Sequence, residues 1–281
     1  MKAFILSAGF GTRLDPYTKK LPKPLFTLAS KPMIAHVIDA LKNAGCTKII
    51  INTHHLHKKL AAFITNYDAG VKITVLHEPA ILDTGGGIAN AKHHLDDAPF
   101  FVINADIVAD INLADVYRTH IESGKLATLA LYDYERFNKV GVDSGGCITG
   151  FDSTVNALAF TGIQVLSTGI FDHFPDEKFF STIDVYKSLC PKKQVMAYID
   201  KKMYWSDIGT PDSYLNTSMK VLCAQYFGRS LAGIRNIKIT PLKGDGSDRR
   251  WYRAMYNNTS SIISSHGISL PGTDKILGCR A

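Results

Sequence analysis

The chain has 281 residues, of which 46% are hydrophobic and 20% are charged, and its formal net charge is +7. This composition is typical of a globular protein, and the length fits one large α/β domain or one domain with an appendage. Without any run of about 18 apolar residues, the sequence predicts no membrane-spanning helix. The five cysteines form no CxxC pair, which favours reduced thiols and a cytoplasmic location.

The first part of the chain alternates apolar strand patterns with amphipathic helix patterns. The predicted strands are "KAFIL", "KIIINT", "KITVLHE" and "PFFVINAD", and the helices between them are "PMIAHVIDALKNAG", "LHKKLAAFITNY" and "GIANAKHHL". This alternation predicts a Rossmann-like, mostly parallel sheet with helices on both faces. The first strand follows Met1 directly, which leaves no room for a signal peptide.

The pattern changes after residue 126. "LATLALYDY", "GVDSGGCITGFD", "LAFTGIQVLS" and "VMAYIDKKMYWSDIG" predict strands and hairpins separated by turns, and the helix "PDSYLNTSMKVLCAQYF" closes the unit near residue 227. The sequence therefore predicts an α/β fold with a β-hairpin-rich part.

The positive charge is concentrated in the tail that follows. Residues 228–281 contain nine Lys and Arg against three Asp and Glu, whereas residues 1–227 contain 23 against 22. The main body is therefore nearly neutral and lacks the excess of basic residues that would favour nucleic-acid binding by it. The distribution therefore argues against nucleic acid as a partner.

Four polar features follow predicted strands: the loop after "KAFIL", Glu78 with "DTGGG", Asp106 and Asp207. In open α/β sheets, ligands bind at the carboxyl ends of the strands. The sequence thus predicts that these features share one site.

The opening loop, "LSAGFGTRLDPYTKKLPKPL", has the composition of a phosphate-binding loop. Its Gly9 and Gly11 do not complete a dinucleotide fingerprint, because position 14 is Leu, and the Walker A sequence is absent. Glycines let backbone N–H groups approach phosphate oxygens, and Arg13 offers a rigid guanidinium fork. Prolines on both sides of Lys23 stiffen the chain around its ammonium. The alternative is a solvated basic loop without a ligand.

These segments resemble the sugar-1-phosphate nucleotidyltransferases. The resemblance extends from the opening loop to "INTHHL", "EPAILDTGGGI", "FVINADI", "FTGIQVLS" and "WSDIGTPDSY", and so covers residues 1–227. Within the family the chain is most similar to N-acetylmuramate-1-phosphate uridylyltransferases of cell-wall (peptidoglycan) recycling, with mannose-1-phosphate guanylyltransferases as near relatives. The implied reaction is attack of a sugar 1-phosphate on the α-phosphorus of an NTP, here UTP, with release of pyrophosphate.

The resemblance implies roles for individual residues. Arg13 and Lys23 would be catalytic, with Arg13 on the departing phosphates and Lys23 on the α-phosphate. The other implied nucleotide-binding residues are Ala8, Gly9, Gly11, Thr12, Asn52, Glu78 and Gly86. The implied sugar-binding residues are Thr84, Gly87, Gly141, Thr161 and Gly162.

Asp106 and Asp207 are the implied ligands of Mg²⁺, an ion that uses one or two carboxylates together with phosphate oxygens. Helix capping is the alternative role for both. His54 and His57 could chelate a metal, but no nearby Cys or carboxylate completes a zinc set, so a solvated helix start is favoured.

One departure from the family leaves a question open. The Glu-Lys-Pro tripeptide, whose lysine binds the sugar phosphate in the glucose-1-phosphate enzymes of the family, is missing. Apart from Lys23, the cation that binds this phosphate is therefore not identified. GDP-mannose synthesis and a non-catalytic regulatory role are the alternative functions. The sequence does not identify the oligomeric state, and a homo-oligomer is compatible with it.

Residues 228–281 resemble the start of a sugar kinase of the aminoglycoside-phosphotransferase type. In "KGDGSDRRWYR", the resemblance implies that Gly246, Ser247 and Arg249 would lie near ATP and that Arg253 would start the next strand. A complete kinase needs about two further domains. The tail is thus predicted to be a truncated kinase fragment without phosphotransferase activity, which suggests a functional link to a sugar kinase. A basic tail that binds an acidic partner is the alternative.

Overall fold

Helices and strands alternate along the first half of the chain. The computed structural model describes residues 1–155, 157–229, 231–242, 249–257, 259–266 and 277–280. The helices in these ranges are α1 (Met33–Asn43), α2 (His57–Asn66), α3 (Asp83–Asn90), α4 (Lys92–Leu95), α5 (Leu113–Ser123), α6 (Thr182–Leu189) and α7 (Pro211–Tyr226). None of the helices in the described ranges is long and apolar enough to cross a membrane.

The strands in the described ranges are mostly short. They are β1 (Lys2–Leu6), β2 (Thr27–Leu28), β3 (Lys31–Pro32), β4 (Lys48–Thr53), β5 (Lys72–His77), β6 (Phe100–Asn104), β7 (Ile107–Ala109), β8 (Ala127–Tyr132), β9 (Gly141–Val142), β10 (Ile148–Gly150), β11 (Ala159–Leu166), β12 (Val195–Ile199), β13 (Trp205–Asp207), β14 (Lys238–Leu242), β15 (Arg249–Tyr256), β16 (Thr259–His266) and β17 (Leu277–Arg280).

Seven strands form the central sheet in the order β12-β8-β11-β6-β1-β4-β5. Strand β1 pairs in parallel with β4 and β6, β4 with β5, and β8 with β12. Only β11 runs antiparallel, between β6 and β8. The prediction of an α/β fold with a mostly parallel sheet is confirmed.

Helices cover both faces of this sheet. Because side chains alternate along a strand, Phe4 and Ile5 of β1 point to opposite faces. Ile5 belongs to the apolar cluster that contains Ile38 of α1, and Phe4 belongs to the cluster that contains Ile88 of α3. Both clusters are buried, so the sheet is the centre of the core.

A short antiparallel ribbon of β7 and β13 lies beyond the end of β6. Its register places Asp207 opposite Ile107, and the amide of Ile208 donates a hydrogen bond of 3.0 Å to the carbonyl oxygen of Asp106. Asp106 and Asp207 are thereby brought together although 100 residues separate them in the chain.

The C-terminal strands β14 to β17 form a four-stranded antiparallel sheet. Ala254 of β15 packs in one buried cluster with Ala224 of α7.

An ion pair forms just before this sheet, where Arg235 Nε lies 2.5 Å from Asp110 Oδ2. Burial raises the pKa of Asp110, and the hydrogen bond from Arg235 opposes that rise.

The resemblance of this tail to a kinase stays a prediction, as does the domain boundary at residue 227. Gly246 and Ser247 lie outside the described residues. Arg253, which was expected to start a strand, lies within β15, and that strand begins at Arg249.

Candidate active site

The opening loop leaves β1 at Leu6 and crosses the carboxyl edge of the sheet. Gly11 adopts a left-handed conformation with φ of 69°, and a Cβ there would lie 3.0 Å from Thr18 Cγ2 and 3.3 Å from Lys23 Cβ. A short 3-10 turn, Thr12–Leu14, follows, and the buried side chain of Leu14 anchors it. Arg13 therefore projects from a loop that is fixed on both sides.

Lys23 and Asp106 form an ion pair at this edge. Pro22 is extended before the short turn Lys23–Leu25, and the Lys23 side chain is only 8% exposed. Its Nζ contacts Asp106 Oδ2 just beyond the end of β6. An ammonium that is buried without an anion costs free energy, and the carboxylate of Asp106 offsets that cost here.

Arg13 and Asp207 form a second, longer pair, with Arg13 Nη1 3.4 Å from Asp207 Oδ2. Gly209 makes room for it, because a Cβ at that position would collide with the guanidinium. Burial and then the negative charge of Asp106 raise the pKa of Asp207, while Lys23 and Arg13 act in the opposite direction. Two carboxylates thus repel each other in a half-buried place, and each has one cation.

A buried polar chain forms the floor. The amide of Ser7 donates to Asn52 Oδ1 at 2.7 Å, and Asn52 Nδ2 donates to Glu78 Oε1 at 2.8 Å. Glu78 is 1% exposed, and its Oε2 has no hydrogen-bond partner within the described residues. Burial raises the pKa of Glu78, and the hydrogen bond from Asn52 opposes this.

All of these groups except Asp207 line one cleft of about 330 Å³. The sequence-predicted residues that line it are Ala8, Gly9, Gly11, Thr12, Arg13, Lys23, Asn52, Glu78, Thr84 and Asp106. The lining also contains residues that were not singled out, namely Leu6, Ser7, Pro24, Ile81, Asp83, Asn104, Ala105 and Gly209. Most of these residues lie within the motifs that carry the resemblance. Their position beside the predicted site residues is the sequence feature that could have identified them.

Two glycines of "TGGG" pack inside the protein and do not line the cleft. A Cβ on Gly86 would collide with the carbonyl oxygen of Lys178. A Cβ on Gly87 would lie 2.9 Å from Asn52 Nδ2 and 3.0 Å from Glu78 Oε1. Gly87 thus leaves space for the floor, and Gly86 lets helix α3 approach the segment before α6.

The other expected sugar-binding residues also lie outside this cleft. Thr161 is buried and its hydroxyl donates to the carbonyl oxygen of Ala130 at 2.7 Å. Gly162 has φ of +78° and its Cβ would lie 2.6 Å from Asn104 Nδ2. Gly141 faces Thr149 within the β9–β10 hairpin.

A second, smaller pocket of about 60 Å³ adjoins the cleft. The two share Arg13 and Gly209, and Asp207 lines only the smaller one. Tyr134, Phe137 and Trp205 contribute rings to it, so we call it the aromatic pocket. No sequence motif indicates that these rings lie together.

The histidines of "THHLH" make contacts of ordinary packing. His54 Nδ1 donates to the carbonyl oxygen of Glu78 at 2.8 Å, and the ring of His57 stacks on His77 at 3.9 Å between centroids. Across the described residues, no group of three or more His, Cys, Asp or Glu side chains has a metal-binding arrangement.

The sheet topology and the cleft at its carboxyl edge define a Rossmann-like α/β protein with a ligand site at the expected edge. Residues 2–223 match the Nucleotidyl transferase family, and the chain belongs to that family.

Curated relatives support this assignment. A mannose-1-phosphate guanyltransferase of Schizosaccharomyces pombe is 33% identical over 230 residues, which are 76% of this chain and 62% of that protein. The catalytic subunit beta of a mannose-1-phosphate guanylyltransferase of Drosophila melanogaster is 31% identical over 227 residues, or 76% of this chain and 61% of that protein. The chain thus spans less than two-thirds of the length of these relatives.

Solved structures share the fold. HddC from Yersinia pseudotuberculosis, also solved in a complex with GMP-PN, has a TM-score of 0.65 at 24% identity, covering 78% of this chain and 98% of HddC. A UDP-glucose pyrophosphorylase from Acinetobacter baumanii has a TM-score of 0.66 at 22% identity, covering 78% of this chain and 92% of that one.

Proposed function

We propose that the chain transfers a nucleotidyl group from an NTP to a sugar 1-phosphate and releases pyrophosphate. The observation that supports this best is the pairing of Lys23 with Asp106 in the cleft and of Arg13 with Asp207 where the cleft adjoins the aromatic pocket. Two cations and two carboxylates suit a reaction between polyanions, in which charge at phosphorus must be stabilised.

In the proposed reaction an oxygen of the sugar 1-phosphate attacks the α-phosphorus. The bond from this phosphorus to the bridging oxygen of the β-phosphate breaks, and pyrophosphate leaves with the electron pair. The nucleophile is already an anion, so no strong general base is needed. Lys23 binds the α-phosphate, Arg13 binds the leaving phosphates, and the backbone at Gly9 and Gly11 orients the triphosphate.

Asp106 and Asp207 fit a Mg²⁺ ion. Their donor set is two neighbouring carboxylates: burial is the main cause of the raised pKa of Asp207, and the negative charge of Asp106 adds to it. Mg²⁺ is commonly held by one or two carboxylates together with substrate phosphates. When bound, the ion would neutralise charge on the phosphates.

For the nucleotide we propose GTP, with mannose 1-phosphate as the acceptor. The names of the curated relatives favour this pair. So does Glu78, because an ionised carboxylate only accepts hydrogen bonds. Guanine offers two adjacent donors, N1–H and N2–H₂, whereas uracil offers one N–H between two carbonyl oxygens. UTP with N-acetylmuramate 1-phosphate, the pair expected from the sequence, is the second candidate.

A substrate panel tests both assignments. Pyrophosphate release is measured with GTP, UTP, ATP and dTTP against mannose 1-phosphate, N-acetylmuramate 1-phosphate and N-acetylglucosamine 1-phosphate. Release with any pair supports the proposed reaction. Release with none would contradict it, and a strong preference for UTP would replace the first pair by the second and support the link to recycling and to a sugar kinase.

Glu78→Gln is expected to reduce the preference for GTP over UTP by about 10-fold or more, because a buried polar mismatch costs about 1–3 kcal/mol. The glutamine amide presents one donor beside one acceptor, which matches uracil better than guanine. The measurement is the ratio of kcat/KM values for the two nucleotides. A ratio unchanged by the substitution would remove Glu78 from the base site.

Lowering the pH should also reduce the preference of the wild type for GTP over UTP, measured as the ratio of the two kcat/KM values. Burial raises the pKa of Glu78, so its protonated form, which has one donor and one acceptor, is populated at a higher pH than usual. Glu78→Gln has no such proton and serves as the control.

Gly9→Ala is expected to raise the KM for the nucleotide about 10-fold, the order expected when one phosphate hydrogen bond is weakened. Apart from its chain neighbours, a Cβ at Gly9 would have no protein atom within 4 Å, so the fold should tolerate it, but in the proposed complex the Cβ would narrow the approach of the triphosphate. Gly150→Ala is the matched control, since its Cβ is equally free and lies outside the cleft. Equal KM values for all three proteins would contradict this role of Gly9.

We also propose a cytoplasmic location. Cys46, Cys147 and Cys190 are buried thiols, and burial raises the pKa of Cys46 to about 11. Thiols of this kind suit a reducing compartment.

A further inference from the structure

The aromatic pocket adjoins the nucleotide cleft, and the two share lining residues. Arg13 and Gly209 form the wall between the two, and Asp207 opens into the aromatic pocket from the same wall. Of the two carboxylates proposed to hold Mg²⁺, Asp106 lines the cleft and Asp207 lines the aromatic pocket, so a ligand in the aromatic pocket would lie beside the reacting phosphates. The aromatic pocket is therefore in a position to hold part of that substrate.

Three rings give this pocket its shape. The centroids of Tyr134 and Phe137 lie 5.6 Å and 6.3 Å from that of Trp205. Trp205 is fixed, because its Nε1 donates to the carbonyl oxygen of Thr161 at 2.9 Å. Tyr134 is 41% exposed whereas Trp205 is only 7% exposed, so Tyr134 offers the larger free ring surface and Trp205 supports it. Faces of this kind pack well against the C–H groups of a sugar ring.

Arg136 supplies an unneutralised cation at the same place. It lies on the short turn Glu135–Phe137, and its guanidinium sits 5.3 Å from the centroid of the Phe137 ring. Unlike Arg13 and Lys23, it has no ion pair with any carboxylate in the part of the chain that the structure describes. The fork is thus available to an anionic ligand.

We propose that Arg136 binds the phosphate of the sugar 1-phosphate and that Tyr134, Phe137 and Trp205 support its sugar ring. The inference rests on the proposed nucleotidyl transfer and identifies the acceptor side of that site. A sugar 1-phosphate carries nearly two negative charges at neutral pH. Lys23 and Arg13 are assigned to the nucleotide phosphates and the Glu-Lys-Pro lysine is missing from this sequence, so Arg136 is the arginine of the aromatic pocket left for the phosphate of the acceptor.

The test uses steady-state kinetics of Arg136→Ala and Arg136→Lys in the full chain, with the substrate pair that the panel selects. Arg136→Ala should raise the KM for the sugar 1-phosphate about 10-fold or more, as expected for the loss of a charge-assisted hydrogen bond. The KM for the nucleotide should stay within about twofold, since that ligand occupies the other pocket. Arg136→Lys keeps the positive charge without the guanidinium fork, so its KM for the sugar 1-phosphate should lie between those of the wild type and Arg136→Ala.

Arg118→Ala is the matched control. Arg118 is an exposed arginine on α5, 66% exposed and paired with Asp115 at 2.8 Å, and it lies outside both pockets. Its removal should leave both KM values unchanged. A rise in the KM for the sugar 1-phosphate in Arg118→Ala as well would mean that general surface charge is responsible, and would overturn the specific role of Arg136.

A binding readout separates this proposal from turnover. The chain has two tryptophans, so Trp251→Phe leaves Trp205 as the sole indole reporter. Adding mannose 1-phosphate, or N-acetylmuramate 1-phosphate if the panel selects it, should change the Trp205 fluorescence. The change should require an at least tenfold higher concentration in the Arg136→Ala variant, and mannose without phosphate should have little effect.

Two further results would overturn the proposal. One is an unchanged KM for the sugar 1-phosphate in Arg136→Ala together with an unchanged fluorescence titration. The other is a rise in the KM for the nucleotide alone, which would put Arg136 on the triphosphate. If the wild type turns over no substrate pair, the proposed function fails, and the fluorescence titration still decides whether Arg136 binds a sugar phosphate.

Discussion

Lys23→Ala is expected to lower kcat/KM by about 100-fold or more, the size seen when one preorganised charge is removed from a transition-state site. The Lys23 side chain is only 8% exposed and already points at Asp106, so its ammonium reorganises little when charge develops on the α-phosphate. Arg13→Ala should cause a loss of the same order through the leaving phosphates. The measurement is the initial rate of pyrophosphate release over a range of both substrates.

Lys31→Ala provides the control for Lys23. Lys31 is also paired with an aspartate, Asp39, but it lies outside the cleft and the aromatic pocket. Its variant should keep wild-type kinetics. Activity within a few-fold of wild type in Lys23→Ala or Arg13→Ala would contradict the phosphate-binding role of the loop.

The sequence predicted the fold well where hydrophobic periodicity is strong. The helix pattern in "PMIAHVIDALKNAG" corresponds to α1, which buries Ile34, Ile38 and Leu41 on one face. The sequence predicts a helix over "GIANAKHHL", which begins at Gly87, whereas α3 begins four residues earlier, at Asp83. The carbonyl oxygen of Phe180 accepts hydrogen bonds from Gly85 and Gly86, and this distant partner stabilises a helix start that local propensity disfavours.

The direction of β11 was also beyond the sequence. Seven of its eight residues are buried, as in a central parallel strand, and only the pairing of Ile163 with Ile103 shows that it runs antiparallel to β6. A uniformly buried strand carries no signal for its direction, because both arrangements bury both faces.

The charged residues of the site were easier to identify from the sequence than the glycines. Arg13, Lys23 and Asp106 lie together because each follows or flanks a strand at one edge of the sheet. Gly86 and Gly162 pack against protein atoms, and a glycine that makes room for a neighbour looks the same in sequence as one that makes room for a ligand.

The aromatic pocket needed tertiary structure. Its rings come from the turn after β8 and from β13, which are some 70 residues apart in the chain, and nothing in either local pattern links them. Asp207 also reaches the aromatic pocket through tertiary structure, because the β7–β13 ribbon places it beside Asp106.

Asp106→Asn and Asp207→Asn are each expected to abolish turnover that depends on Mg²⁺ or Mn²⁺, because an amide keeps the shape of the side chain and removes the charge that holds the ion. The direct measurement is Mn²⁺ binding followed by electron paramagnetic resonance, with and without the nucleotide. Both variants should weaken binding by about 10-fold or more, the loss expected from one charged ligand. Asp39→Asn, in a paired aspartate away from the site, is the control.

Stability should separate the two variants and exclude unfolding as the cause of lost activity. Burial and the neighbouring Asp106 raise the pKa of Asp207, so its ionised form costs stability at neutral pH, and that cost disappears as the pH falls through the raised pKa. Asp207→Asn should therefore keep or raise the Tm at pH 7. Asp106→Asn leaves the buried ammonium of Lys23 without its anion and should lower the Tm. Unchanged Mn²⁺ binding in both folded variants would show that these two carboxylates do not form the metal site.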